Sequence, residues 1–141
     1  MVSLAMLGLV FSGGCASVPT PPKPPVITIG QGSKVEPGDP GWAQFSDYLN
    51  QLAASIQQRW YRILEESHIV PVRGSQVVIR FKLNAGGDTE IVDVTDHGSG
   101  KLGVRAAIAA LDGSGPHPTW TESMIATLGN EQTLTFSFAY Q

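Results

Sequence analysis

Val77-Val78-Ile79-Arg80-Phe81-Lys82-Leu83-Asn84, then Ala85-Gly86-Gly87-Asp88, then Thr89-Glu90-Ile91-Val92-Asp93-Val94-Thr95 is the stretch that decides the fold. Val77, Ile79, Phe81 and Leu83 alternate with Val78, Arg80, Lys82 and Asn84, the period-two pattern of a strand with one buried and one wet face. Gly86-Gly87 suits the positive φ of a hairpin loop, so Thr89–Thr95 is read as the partner strand. Within that partner, Ile91-Val92 breaks the alternation. Either Ile91 or the Val92/Val94 pair faces inward.

On the C-terminal side, Gly98-Ser99-Gly100 makes a turn in which Ser99 can cap the following helix. Leu102, Val104, Ala107, Ile108 and Leu111 give that helix a packed face, and Gly113 is read as its stop. A loop with Pro116-His117-Pro118 and Trp120 follows, then a short helical turn between Glu122 and Leu128. Leu134, Phe136, Phe138 and Tyr140 alternate with Thr133, Thr135, Ser137 and Ala139 in a last strand.

On the N-terminal side, Asp39-Pro40 is a helix entry signal, because Asp caps free N–H groups and Pro suits the first turn. Phe45, Leu49, Leu52, Ile56, Trp60 and Ile63 recur at steps of three and four, one apolar stripe on a helix ending near Ser67. Tyr48 and Trp60 are read with that packed helix rather than as ligand-stacking rings. The expected fold is α+β, a small three-stranded antiparallel-type sheet with two helices packed on one face. If the first strand lies between the second and the third, the right-handed crossover rule puts both helices on one side.

Upstream, residues 1–12 are almost entirely apolar and lead to Ser12-Gly13-Gly14-Cys15-Ala16-Ser17. The run is shorter than the roughly 20 residues that span a bilayer and fits the apolar part of a secretory signal. Small residues before a cysteine resemble a bacterial lipoprotein processing site, which makes Cys15 the expected lipid anchor. The alternatives are cleavage near Ala16 or Ser17, or a truncated membrane anchor. Pro19, Pro21, Pro22, Pro24 and Pro25 favour an extended polyproline spacer. Gly30 to Gly41 is read as further linker, unable to sustain helix or strand. The expected organisation is a leader at 1–17, a Pro/Gly-rich linker at 18–38 and one folded domain at 39–141.

The 141 residues carry a formal net charge of −3 and no basic run, which disfavours a nucleic-acid partner. A single cysteine, Cys15, rules out an intramolecular disulfide and a cysteine-based zinc site. His68, His97 and His117 lack metal-ligand spacing and are read as surface loop positions. Ser99 has no evident base, Glu65 and Glu66 sit at a solvated helix end, and Gly98-Ser99-Gly100-Lys101 has neither dinucleotide nor P-loop spacing. No catalytic, cofactor or metal residues are assigned, and the chain is not read as an enzyme.

The order of helix, hairpin, Ser-Gly turn, alanine-rich helix, proline-containing loop and terminal aromatic strand resembles the C-terminal domain of the TonB and TolA family. The resemblance spans roughly 45–141 and rests on Trp60, Val77 to Leu83, Gly86-Gly87-Asp88, Ser99-Gly100, Ala106-Ala107-Ile108, Pro116 to Pro118 and Phe136-Ser137-Phe138. It implies a cell-envelope module that docks another protein, such as an outer-membrane transporter or a Tol-type protein, in a recognition role without energy transduction. The alternative is a self-associating structural envelope lipoprotein.

Edge protection indicates where docking would occur. The second strand carries Glu90 and Asp93, with Asp96 just beyond, charges that discourage foreign pairing, whereas Thr133–Tyr140 has no charge and no proline. Thr133, Thr135, Ser137 and Ala139 are therefore the expected partner-binding edge, by strand addition. The alternatives are that this edge pairs with a second copy or is covered by the linker.

Overall fold

The computed structural model describes residues 24–29 and 32–140. Along the chain run β1 (Ile27–Ile29), β2 (Ser33–Glu36), a 3-10 helix (Pro40–Phe45), α1 (Ser46–Glu66), β3 (Gln76–Asn84) and β4 (Thr89–His97). Then come α2 (Gly100–Ser114), α3 (Glu122–Leu128) and β5 (Glu131–Ala139). All pairings are antiparallel, in the order β1-β2-β5-β3-β4.

The class is α+β, and β3 lies between β4 and β5, the order that the crossover argument took as its condition. The sheet nevertheless has five strands where three were expected, and α3 makes a third helix. Both extra strands come from the stretch read as linker, so among the described residues the sheet reaches upstream of Asp39 to Ile27. The Pro and Gly residues flank these strands without interrupting them. Gly32 turns the chain with φ 99°, and Pro37 follows β2 where no further donor is required.

In β3 the alternation is strict, and Val77, Ile79, Phe81 and Leu83 are all buried. β4 carries a bulge: Arg80 pairs with Asp93 but Phe81 pairs with Ile91, leaving Val92 as the extra residue. That resolves the broken alternation, because Ile91 and Val94 both pack against the core while Val92 is exposed. Leu134, Phe136 and Phe138 of β5 complete the buried face of the sheet, with Phe136 and Phe138 in contact at 4.5 Å between ring centroids. Arg80 and Asp93, opposite one another, are exposed on the other face.

Asp39 caps the 3-10 helix by accepting from the Gly41 N–H at 2.8 Å, with Pro40 in its first turn. The chain then winds into α1, whose Leu49, Leu52, Ala53, Ile56 and Trp60 are buried. Each large side chain there contributes on the order of 1.5–3 kcal/mol by leaving water. α2 packs against α1, and its buried residues include the small Ala106, Ala107 and Ala110. Gly113 does not stop α2, which runs on to Ser114, where the Ser114 hydroxyl donates to the Leu111 carbonyl at 2.9 Å.

Ser99 is not the side-chain cap of α2. Its backbone is already helical, and the Asp96 carboxylate accepts from the Ser99 N–H (2.8 Å), the Ser99 hydroxyl (2.7 Å) and the Gly100 N–H (3.1 Å). The Ser99 hydroxyl, followed by the Ser99 N–H, holds the Asp96 carboxyl below its ordinary value of 3.8. At the opposite end of the sheet, the β3–β4 loop is tied to the chain beyond α2. The His117 N–H donates to the Gly87 carbonyl at 2.9 Å and the Trp120 N–H to the Ala85 carbonyl at 2.8 Å. Trp120 then meets the fully buried Trp42 edge to face at 5.6 Å.

Two outcomes follow from these ties. Gly87 has φ +89°, and a Cβ there would overlap the His117 carbonyl oxygen, so Gly87→Ala should lower unfolding free energy by about 2–4 kcal/mol in urea titration. A carboxylate with a depressed folded pKa stabilises above its unfolded value and loses that contribution as pH falls through the folded one. Asp96→Ala should therefore lower the thermal midpoint at pH 7, and the gap from wild type should close as pH drops below about 4.

Candidate functional site

The titratable residues are spread over the molecule. His68 is exposed just beyond α1, with φ 53°, and His97 is exposed at the end of β4. His117 departs from the surface reading: it is 5% exposed, held by its backbone tie to Gly87, with Nε2 3.3 Å from the Ser114 hydroxyl. Burial pushes its imidazole below the ordinary histidine value. Among the described residues no three His, Cys, Asp or Glu side chains converge as a metal-ligand set. Beside the hairpin loop, Gly87, Asp88, Thr89, Asp112, Gly115 and Pro116 line an open cleft of about 380 Å³.

The sheet edges are more informative. In an antiparallel strand the backbone groups of successive residues point alternately to the two neighbours. The Tyr140 N–H donates to the Ser75 carbonyl and the Gly74 N–H to the Tyr140 carbonyl, on the β3 side. The Ala139 N–H turns the other way and donates to the Ser33 hydroxyl at 3.0 Å. Thr133, Thr135, Ser137 and Ala139 thus present their N–H and C=O groups away from β3, the orientation that strand addition needs.

That side of β5 is already occupied. β2 lies on it with Lys34 opposite Ser137, Val35 opposite Phe136 and Glu36 opposite Thr135. The expectation that Thr133–Ala139 is a free outer edge is therefore corrected, and of the alternatives the structure shows the one in which the linker covers it. The physical reason is local reach. The segment at 33–36 precedes α1 closely enough to return along the strand that the helix layer covers, and Val35 fills the row beside Phe136 with no exposure of its own. Of the four residues Thr135 and Ser137 lie within the β2 register, Ala139 lies past one end and meets β2 through the Ser33 hydroxyl, and Thr133 lies past the other end.

With β5 interior, the outer strands are β1 and β4. β4 is guarded by exposed Glu90, Asp93 and Asp96 and by its bulge. β1 is short, uncharged and paired only with β2. Sequence reasoning missed both β1 and β2, whose only signals were the alternation in Ile27-Thr28-Ile29 and the single apolar Val35 between Lys34 and Glu36. Cys15, the leader at 1–17 and the linker as far as residue 23 lie outside the described residues. No helix among the described residues is long and apolar enough to cross a membrane.

Comparison of the chain with protein-family models, with curated proteins and with solved structures gave no match. The edges and their chemistry therefore stand on their own geometry.

The buried imidazole generates a pH test. An unfolded histidine near 6.5 binds a proton that the folded His117 resists, so stability falls as pH drops below that value. Urea midpoints measured at pH 7.5 and pH 5.5 should differ more for wild type than for His117→Gln, which lacks the titrating ring.

Proposed function

We propose that this chain is a cell-envelope protein–protein interaction module of the TonB/TolA C-terminal kind. It is held to a membrane by a lipid on Cys15 and docks an envelope protein, an outer-membrane transporter or a Tol-type protein, along β5. One observation carries the reading: Thr133, Thr135, Ser137 and Ala139 direct their backbone groups to a side of β5 that is completed only by the four-residue strand β2. Main-chain hydrogen bonds along such an edge give affinity without a pocket or a reactive group. The proline-rich stretch at 19–25 suits a spacer between the anchor and the folded unit.

A second reading, the self-associating structural envelope lipoprotein, draws on β1. Its uncharged outer edge is paired with nothing else among the described residues and accepts a strand of a second copy as readily as a foreign one.

Affinity capture from envelope extract with the tagged full chain separates the two readings. Thr133→Pro is the control, because its lost N–H faces neither β2 nor β3. Wild type should retain a transporter or Tol-type protein, and Thr133→Pro should retain about tenfold less, the loss of roughly one backbone hydrogen bond plus the clash of the ring. Recovery of the chain alone, in amounts that rise with its concentration, would end the docking reading in favour of self-association.

A further inference from the structure

β2 is in register with β5 at Lys34, Val35 and Glu36 and adds one bond through the Ser33 hydroxyl, whereas β3 pairs with β5 along the whole of Gln76–Asn84. On its outer side β2 is backed by β1 alone. Its link to α1 runs through Pro37-Gly38-Asp39-Pro40, where Gly38 has φ +78° and open space around its Cβ position. A short hairpin on a glycine hinge is among the first units of a fold to open.

We infer that β2 is a displaceable stand-in for the docking partner, and that its side chains state which partner fits. This rests on the docking reading of β5. Ser33 and Val35 are both fully buried, Ser33 bonding the Ala139 N–H and Val35 lying opposite Phe136, while Lys34 and Glu36 point outward and pair with one another at 3.1 Å. Leaving this side of β5 empty would expose Phe136 and strand the backbone groups of Thr135 and Ser137. Exchange is thus favoured over simple opening. The incoming segment is an extended peptide, antiparallel to β5, with a β-branched aliphatic residue opposite Phe136, a small hydroxyl residue two positions before it and polar residues between and after. Thr133, beyond the reach of β2, is where such a segment first gains pairing before it displaces the hairpin towards Ala139.

The cis hairpin competes at high effective concentration, so the apparent affinity for a strand in trans is the intrinsic one reduced by the open fraction. The probe is a fluorescent synthetic peptide with the sequence of residues 26–37, titrated by anisotropy against the full chain in a Cys15→Ser background. Three chains are compared: that parent, one with Val35→Asp to loosen β2, and one with Lys34→Cys and Ser137→Cys. The last two positions lie directly opposite, with an expected Cα separation of about 5.5 Å that suits a disulfide.

Val35→Asp should bind the peptide about tenfold more tightly than the parent, because the open fraction rises. The oxidised cysteine pair should not bind it, reduction should restore binding, and a peptide that itself carries Val35→Asp should bind none of them. Equal binding by the oxidised and reduced pair would overturn the inference and place the peptide on the β1 edge. Absence of binding by the reduced pair would overturn it too, whatever the folding of Val35→Asp. Envelope capture separates this from the docking reading. An oxidised chain that still retains its envelope partner ends the exchange but keeps the module, whereas a chain that exchanges peptide and retains no envelope protein ends the module but keeps the exchange.

Discussion

The arrangement depends on the burial of β5. Leu134, Phe136 and Phe138 sit beneath the helix layer, and a strand buried on that face needs its backbone groups paired on both sides. β3 satisfies one side along its full length and β2 satisfies part of the other. Two crossovers follow. The chain from β2 to β3 passes over β5 through α1, and the chain from β4 to β5 passes over β3 through α2 and α3. Both connections lie on the same face, so α1 and α2 pack side by side over the sheet. The alanine run of α2 is a consequence of that shared face, since two helices on so narrow a sheet need one of them to be slim.

A second set of constraints holds the end of the sheet where the β3–β4 hairpin turns. The residues between α2 and α3 run against the Ala85–Asp88 loop and pair with it through backbone groups. Gly87 is required there twice over, for its positive φ and for the absence of a side chain beside His117. Tyr48 reaches across from the start of α1 and donates to the Pro118 carbonyl at 2.6 Å, and Trp42 and Trp120 fill the space beneath. This corner joins the first helix, the hairpin and the last crossover in one contact region.

The opposite situation holds at β2. There the sheet is completed by a piece of chain that is short, flanked by proline and glycine, and placed in sequence between Cys15 and the folded body. An edge covered in this way is protected against indiscriminate pairing, as a charge or a bulge protects β4. The two devices differ in one respect. A charge stays where it is, whereas on the proposed exchange the hairpin would leave and the same backbone groups would serve the fold in one state and a partner in the other.

How much of this was legible in the sequence follows from the range of the forces involved. The alternation in β3 and β5, the apolar stripe of α1 and the span of α3 are set by residues within a few positions of one another, and they read directly. The order of β4, β3 and β5 entered only as a condition, from which the crossover rule put both helices on one face; the structure supplies that order. The Asp96 cap was misplaced by three residues, since which of two neighbouring oxygens takes the helix N–H groups depends on backbone angles that only the turn defines. His117 read as a loop residue because nothing local foretold the hairpin pressed against it. The candidate edge was half legible: which backbone groups of β5 point away from β3 follows from period two, but whether that side is free does not. β1 and β2 are too short to carry a period; β2 takes its strand form from the side of β5 away from β3, about a hundred residues away in sequence, and β1 takes its own from pairing with β2. Sequence alone determined which segments could be strands and helices. The tertiary structure decided that an apparent linker is part of the sheet, because a hydrogen-bonding edge recruits whatever chain can reach it.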